Sequence, residues 1–314
     1  IKGNVTVKGS LELKNLTVEG TLFLDPGDLG EVALANINAA KIEILSGQTG
    51  TIIFSGVESS EVIVKDENGI KLETDGTSSI GSLEIAPENG SEVQLAGNFN
   101  ETNIKVTEQT TLTAKANFIA SSLEIDVKKP NSEVKLNADA PVELPAITLN
   151  SGVKLTSQTA NISAPKINVN VAESNQTVEL EGPLGNPEVV VEKPVTLTVD
   201  SPVSKVTAKA NVSLEGSEAA NIEELETIAP EGQQVTVTST DAEVQKALDA
   251  KKAESIELAK TKIEELQGQS NPSLQAIQEA DALVKTAISL GASIADFQEG
   301  EKNLFNILVE LKTA

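Results

Sequence analysis

Apolar residues recur along most of the chain with a period of about twenty residues. Each period contains one pair of apolar residues separated by a single residue, and these pairs form the first column. The pairs of the first column are Leu11/Leu13, Val32/Leu34, Ile52/Phe54, Ile70/Leu72, Val93/Leu95, Leu112/Ala114, Val134/Leu136, Val153/Leu155, Val178/Leu180, Val195/Leu197, Val212/Leu214 and Val235/Val237. Self-similarity at a fixed period indicates a stacked array in which each unit buries its apolar face against its neighbours.

Two further columns accompany the first. The pairs of the second column are Leu22/Leu24, Ile42/Ile44, Val62/Val64, Leu83/Ile85, Ile104/Val106, Leu123/Ile125, Ile147/Leu149, Ile167/Val169 and Val189/Val191. The third column has one residue per period: Val18, Ile37, Val57, Ile80, Phe99, Phe118, Val142, Ile162, Leu184 and Val203. Apolar and polar residues alternate within each pair, as in Ser91–Leu95, which is typical of strands with one face buried.

The order strand, corner, strand, turn within each period predicts a parallel β-helix over residues 1–239. We expect about twelve coils, each hydrogen-bonded to the next, and a right-handed path by analogy with parallel crossovers. Tandem immunoglobulin-like sandwiches are the alternative, because they also have short strands and frequent turns. Their repeat is about 100 residues long, whereas strands about twenty residues apart resemble each other in this chain. The pattern therefore favours the solenoid.

The period changes after Thr240. Thr240–Glu243 reads as a capping box, and apolar residues at helical spacing follow as far as Gly268. A second helix is predicted from Ser270-Asn271-Pro272 to Gly291 and a third around Ile294–Leu311. Each has one apolar face, so we predict a small antiparallel three-helix bundle over residues 240–314 that covers the last coil.

The composition argues against most enzyme chemistry. The sequence contains no Cys, His, Met, Trp, Tyr or Arg. It therefore lacks thiols, the usual residue for proton transfer near neutral pH, and the guanidinium fork that binds phosphate and carboxylate. No catalytic residue and no cofactor-binding residue is nominated from the sequence, and we expect a protein that is not an enzyme.

The charge limits the partners. The formal net charge is −23, from 24 Lys against 47 acidic residues. A negative field of this size repels nucleic acid and anionic lipid. No stretch has the 18 or so apolar residues of a membrane-spanning helix. We therefore expect no nucleic-acid partner and no membrane span. The chain begins at Ile1 without Met, so we expect it to be part of a longer polypeptide.

Carboxylates are the remaining candidates for chemistry, because some parallel β-helices degrade acidic polysaccharides. Glu43, Glu84 and Glu124 occupy equivalent places in the second column and could form a ladder. We interpret them as a solvated face that alternates with Lys65 and Lys105, and the sequence offers no catalytic pair.

Calcium is the one cofactor for which the sequence leaves a role open. The loop acids Asp28, Asp66, Glu67 and Asp75 could bind Ca²⁺ weakly, although no EF-hand or calcium-binding nonapeptide motif occurs. The metal content is thus left unknown.

The segment GNVTVKGSLELKNLTVEGTLFL at residues 3–24 resembles the solenoid regions of surface-layer and related cell-envelope proteins of Gram-positive bacteria. The helical run ALVKTAISLGA at residues 282–292 is similar to spacer helices of the same group. The resemblance implies export to the bacterial cell surface and a structural role. No surface-layer-homology anchoring domain is recognisable, so we expect wall attachment elsewhere in the parent protein.

The leading hypothesis is a non-enzymatic extracellular structural protein, a rigid subunit of a surface layer, fibre or stalk. We expect self-association through the side of the rod or through the edge of the first coil. Cell-wall polysaccharide is a further candidate partner. The alternatives are an adhesin or polysaccharide-binding solenoid and, after it, a polysaccharide lyase or hydrolase.

Overall fold

The computed structural model describes residues 1–28, 30–47, 50–87, 90–173, 176–229, 233–269, 271–300 and 302–313. It confirms the predicted fold class. The chain is a mainly β parallel solenoid of about 11 turns, with three α-helices near the C-terminus. The chain divides into two compact units, Ile1–Pro187 and Glu188–Ala314.

The first unit consists of parallel strands joined by short corners and turns. Its strands are β1 Val5–Lys8, β2 Leu11–Asp25, β3 Val32–Ile44, β4 Thr51–Ser55, β5 Glu58–Val64, β6 Ile70–Thr74, β7 Ser79–Ile85, β8 Glu92–Phe99, β9 Asn103–Val106, β10 Thr110–Ala114, β11 Ile119–Ala120, β12 Leu123–Ile125, β13 Ser132–Ala138, β14 Val142–Glu143, β15 Ile147–Leu149, β16 Val153–Ser157, β17 Ile162–Ser163, β18 Lys166–Val169 and β19 Thr177–Glu181. Each pairs with a strand of the neighbouring coil, so the backbone polar groups are satisfied between coils.

The second column stacks in the predicted register throughout the first unit. Leu22 pairs with Ile42, and the same alignment continues through every later coil to Ile167. From Leu22 onward these inward side chains are at most 2 % exposed. The third column is buried as well, with the exception of Val142, which is half-buried. Phe99 and Phe118 of this column have ring centroids 6.0 Å apart.

The predicted alignment of the first column is wrong at several steps. Ile52 pairs with Leu72 rather than with Ile70, and Val134 pairs with Leu155 rather than with Val153. Leu112 shows the same two-residue shift, because it pairs with Leu136 rather than with Val134. Because side chains alternate with period two, a shift of two residues keeps every apolar residue pointing inward. The hydrophobic pattern therefore does not distinguish the two registers.

The second unit combines further coils with the helices. Its elements are β20 Glu188–Val191, β21 Val195–Asp200, β22 Lys205–Ala208, β23 Val212–Glu215, a 3₁₀ turn Ala219–Asn221, β24 Glu224–Thr227, β25 Val237–Thr238, α1 Ala242–Gln267, α2 Leu274–Ser289, a 3₁₀ turn Ile294–Phe297, β26 Gln298–Glu299, β27 Lys302–Asn303 and α3 Leu304–Thr313. The first column is shifted by two residues here too, because Val212 pairs with Val237 rather than with Val235.

Two details of the helical prediction are wrong. Helix α1 is capped by Asp241, whose carboxylate accepts hydrogen bonds from the backbone N–H groups of Glu243 and Val244, and Thr240 lies outside the cap. The predicted third helix is interrupted between Phe297 and Leu304 by the antiparallel pair β26–β27. Gly300 lies between these strands at a φ of 58°, in the left-handed region that ends regular helix.

The second helix begins after Ser273, whose hydroxyl accepts from the N–H of Ala276. Its predicted start at Ser270 falls on a residue outside the described part of the chain. Gly291 follows the helix at a φ of 91°, as a C-terminal glycine does.

The three helices share one apolar core. Its buried residues are Ala259, Ile263, Leu266, Ile277, Ala280, Val284, Ala287, Ala292, Phe297, Leu304 and Leu308. The helices also contact the last coil, since α1 packs on the turn Ala219–Asn221 and α2 packs on β24. The change from strand to helix falls between Thr238 and Ala242. The division into two domains at residues 239 and 240 stays a prediction.

Candidate functional site

The outward positions of the second column form a ladder across the coils, as predicted, but its order is mixed. Glu43 pairs with Ile63, and Ile63 pairs with Glu84. Lys105 then lies between Glu84 and Glu124. The three glutamates are therefore separated by an apolar residue and by a lysine. No two of them are brought together as the carboxylate pair of a glycoside hydrolase would be.

Lys105 shows what this arrangement does electrostatically. Its ammonium lies 2.9 Å from the carboxylate of Asp126. This hydrogen bond, followed by the charges of Asp126, Glu124 and Glu84, raises the pKa of Lys105. The lysine thus links its own coil to the next one through Asp126 and remains protonated at any physiological pH.

Glu43 is held between two lysines. Its carboxylate lies 3.1 Å from the ammonium of Lys41 and 2.7 Å from that of Lys65, and only 12 % of its side chain is exposed. Burial opposes ionisation of Glu43, but the hydrogen bonds from Lys65 and Lys41 outweigh it and lower the pKa of Glu43. The sequence pattern places Glu43 and Lys65 on the same outward face, and the structure joins them in an ion pair.

Forked ion pairs recur between coils in both units. Lys154 contacts Glu179 and Glu181 of the next coil at 2.6 Å each. In the second unit Lys205 contacts Glu224 and Glu226 at 2.7 Å each. The hydrogen bonds to Glu179 and then Glu181 raise the pKa of Lys154. These carboxylates are therefore ion-paired with lysines, and the ion pairs link neighbouring coils.

The loop acids proposed for calcium do not converge. Asp75 accepts hydrogen bonds from the hydroxyls of Thr77 and Ser55, which lower the pKa of Asp75. Asp66 is 1 % exposed and accepts from the backbone N–H of Asn68. In the described part of the chain, no three acidic side chains come close enough together to hold a metal ion. Weak calcium binding at Asp28, Asp66, Glu67 and Asp75 stays a prediction.

The first coil exposes apolar side chains that the later coils bury. Leu11, Leu13 and Leu16 of β2 are half-buried, whereas Val32 and Leu34, their counterparts in the next coil, are at most 1 % exposed. This row, Leu11, Leu13 and Leu16, is called the first-coil edge. It is one of the two surfaces for which self-association is predicted from the sequence.

The grooves of the second unit were not predicted from the sequence. One groove of about 440 Å³ lies between β24, α1 and α2, and a smaller one of about 340 Å³ lies beside α2 and α3. Each groove is walled by separate segments of the chain, which in the larger groove extend from Glu223 to Thr286, and no local motif can signal such an arrangement. In the described residues, no helix is long and apolar enough to cross a membrane.

Comparison with known proteins adds no family. The chain matches no protein-family model, no curated protein and no solved structure. The architecture of a parallel β-solenoid is therefore shown by the fold itself. The relation to Gram-positive surface-layer proteins stays a prediction from the repeat style.

Proposed function

We propose that this protein is a non-enzymatic structural protein of the bacterial cell surface, a rigid solenoid subunit that self-associates into a layer, fibre or stalk. The observation that carries the proposal is the unbroken register of the second column from Leu22 to Ile167 in the first unit. Such a stack, braced outside by inter-coil ion pairs, resists bending because each coil is bonded to both neighbours.

The surface chemistry supports a scaffold more than a catalyst. The best-placed carboxylates, Glu43, Glu179 and Glu181, are engaged by lysines. A general acid or base would need a free proton site poised near the working pH. The charged ladders would instead keep the protein soluble and orient its contacts with other copies.

The first-coil edge is the surface through which we propose that copies associate. Its leucines offer apolar area, and an edge strand offers unpaired backbone groups to a second chain. Lysine is a residue that natural proteins use to block such edges. A Leu13→Lys variant is therefore expected to prevent association, whereas Ile119→Lys, at a residue that is 51 % exposed elsewhere on the unit, is not.

The test is sedimentation velocity and negative-stain electron microscopy over a range of concentrations, with and without calcium. We expect larger species to grow with concentration in the parent chain and in Ile119→Lys but not in Leu13→Lys. A chain that stays monodisperse at every concentration while binding a glycan array would replace assembly with polysaccharide binding. Release of sugar from pectin, alginate or bacterial wall would contradict the non-enzymatic role.

A further inference from the structure

The larger groove of the second unit has an apolar floor. Leu225 of β24, Leu258 of α1 and Leu283 of α2 line it together with Ala282, around a volume of about 440 Å³. Leu258 is 50 % exposed. It lies outside the apolar core that the helices share, so it is available to contact a ligand in the groove.

The rim of the same groove is acidic. Glu223, Glu224 and Glu226 border it from the coil, Glu254 from α1 and Glu279 from α2. Lys251 is the one basic residue among the lining residues, and its ammonium donates to the backbone carbonyl oxygen of Glu223 at 3.0 Å.

Part of this charge is neutralised by neighbouring lysines. Lys205 bridges Glu224 and Glu226, and Lys262 lies 2.8 Å from Glu279. Within the described residues, Glu223 and Glu254 form no ion pair. The groove therefore keeps a net negative rim on both sides of its leucines.

We propose that this groove binds an amphipathic helix of a partner protein, with leucine-type side chains on one face and lysines beside them. An apolar groove accepts the apolar face of such a helix, and the carboxylates on both rims match its basic flanks. The proposal is independent of self-association at the first-coil edge, because it concerns a different surface and a partner of different charge.

Other occupants fit these features less well. A second copy of this chain is a poorer match for this rim, because the rim carries carboxylates without a lysine partner among the described residues and the chain has 47 acidic residues against 24 Lys. A small oligoamine would satisfy the carboxylates but would leave Leu258 in water. The leucines and the carboxylates are used together only by a partner that is both apolar and basic.

The test uses the full chain and a fluorescent peptide of about four helical turns. The peptide carries leucines along one face and lysines elsewhere, and binding is followed by fluorescence anisotropy at two salt concentrations. A peptide of the same composition with scrambled order tests whether the helical pattern matters.

The variants separate the groove from the general acidity of the protein. Leu258→Asn is expected to weaken binding about tenfold, since it removes one buried leucine contact. The double change Glu223→Gln and Glu254→Gln is expected to weaken binding about tenfold at low salt and to reduce its salt dependence. The matched controls are Leu274→Asn, at a leucine that is 71 % exposed on the same helical unit, and Glu310→Gln on α3. Both should stay within about twofold of the parent chain.

Each alternative outcome overturns the proposal. Equal losses for Leu258→Asn and Leu274→Asn, or equal binding of the scrambled peptide, would mean diffuse attraction to an acidic surface. Spermine that binds as tightly as the peptide and is insensitive to Leu258→Asn would mean an oligoamine site. Thermal unfolding followed by circular dichroism checks that Leu258→Asn folds as the parent does. If Leu258→Asn does not fold as the parent does, the loss of peptide binding in the Glu223→Gln and Glu254→Gln double variant tests the proposal instead.

Discussion

The side-chain amide of Asn36 donates a hydrogen bond to Oδ1 of Asn15, 3.1 Å away in the preceding coil. Both residues have left-handed backbones, with φ of 55° and 52°, and Gly56 takes the place in the following coil at 61°. Few residues other than glycine adopt this conformation, and asparagine tolerates it best. The amide stack therefore secures the sharp corner between the first and third columns.

Replacing Asn36 with alanine is expected to destabilise the first unit by about 1–2 kcal/mol, because the left-handed backbone is strained by Cβ and the amide bond is lost. Asn36→Gly should cost less, because it relieves the backbone. Asn38→Ala is the control, since Asn38 only donates an exposed hydrogen bond to Glu58. Urea unfolding measures all three. Equal effects at Asn36 and Asn38 would contradict the corner's role.

Ile52 and Ile53 are consecutive residues of β4 that face opposite sides of the strand. Ile52 is fully buried and Ile53 is 38 % exposed. We expect Ile52→Ala to lower the free energy of unfolding by about 2–4 kcal/mol, from lost burial and a new cavity. Ile53→Ala should cost about 0.5 kcal/mol. Denaturant midpoints provide the measurement, and similar losses at both positions would mean that the strand is not oriented as described.

The structure and the sequence prediction differ in which residue caps the N-terminus of α1. Asp241→Ala is expected to cost about 1 kcal/mol, because two backbone N–H groups at the helix start lose their acceptor. Thr240→Ala should cost about 0.5 kcal/mol or less, since it removes only an exposed hydrogen bond to Glu215. Thermal unfolding followed by far-ultraviolet circular dichroism compares the two. A larger loss at Thr240 would restore the predicted capping box.

Glu43 should make stability depend on acid pH. Its pKa is lowered in the folded protein from an ordinary value of 4.5. Its stabilising contribution is therefore fully present above about pH 4.5 and is lost as the pH falls through the lower folded-state pKa. At neutral pH Glu43→Gln should cost about 1 kcal/mol, after allowance for screening by solvent. The cost should shrink toward zero in acid.

A double-mutant cycle controls for effects unrelated to the ion pairs. In a Lys65→Gln background, Glu43→Gln should cost less than in the parent chain, because one of its two partners is already gone. Urea unfolding at several pH values measures each corner of the cycle. A cost that is the same at all pH values and in both backgrounds would assign the effect of Glu43 to packing.

How much the sequence could predict differs between the two columns. The turn that precedes the first column varies in length from coil to coil, so its register was predicted wrongly at Ile52 and Val134. The second column lies on the other side of the third-column corner, and its predicted register is confirmed from Leu22 to Ile167. The hydrophobic pattern was also insufficient for the third helix. Apolar residues keep helical spacing from Ile294 to Leu311, although the chain leaves the helical conformation at Gly300.

The pairing of charges was only partly visible in the sequence. Glu43 and Lys65 were predicted to share one outward face, and in the structure they form an ion pair. The fork of Lys154 with Glu179 and Glu181 lies at a step where the first-column register holds, since Leu155 pairs with Leu180, but it was not predicted from the sequence. The groove around Leu258 joins a strand to two helices, so its existence depends on how distant segments pack.

The sequence by itself determined which side chains face inward and that the chain stacks in coils, because burial requires only alternation with period two at a repeated spacing. Only the tertiary structure decided which residues of neighbouring coils pair with each other. A shift of two residues changes no inward or outward assignment, so the hydrophobic pattern gives both registers the same burial. The two registers differ in which side chains lie beside one another in neighbouring coils, and that is decided only when the chain folds.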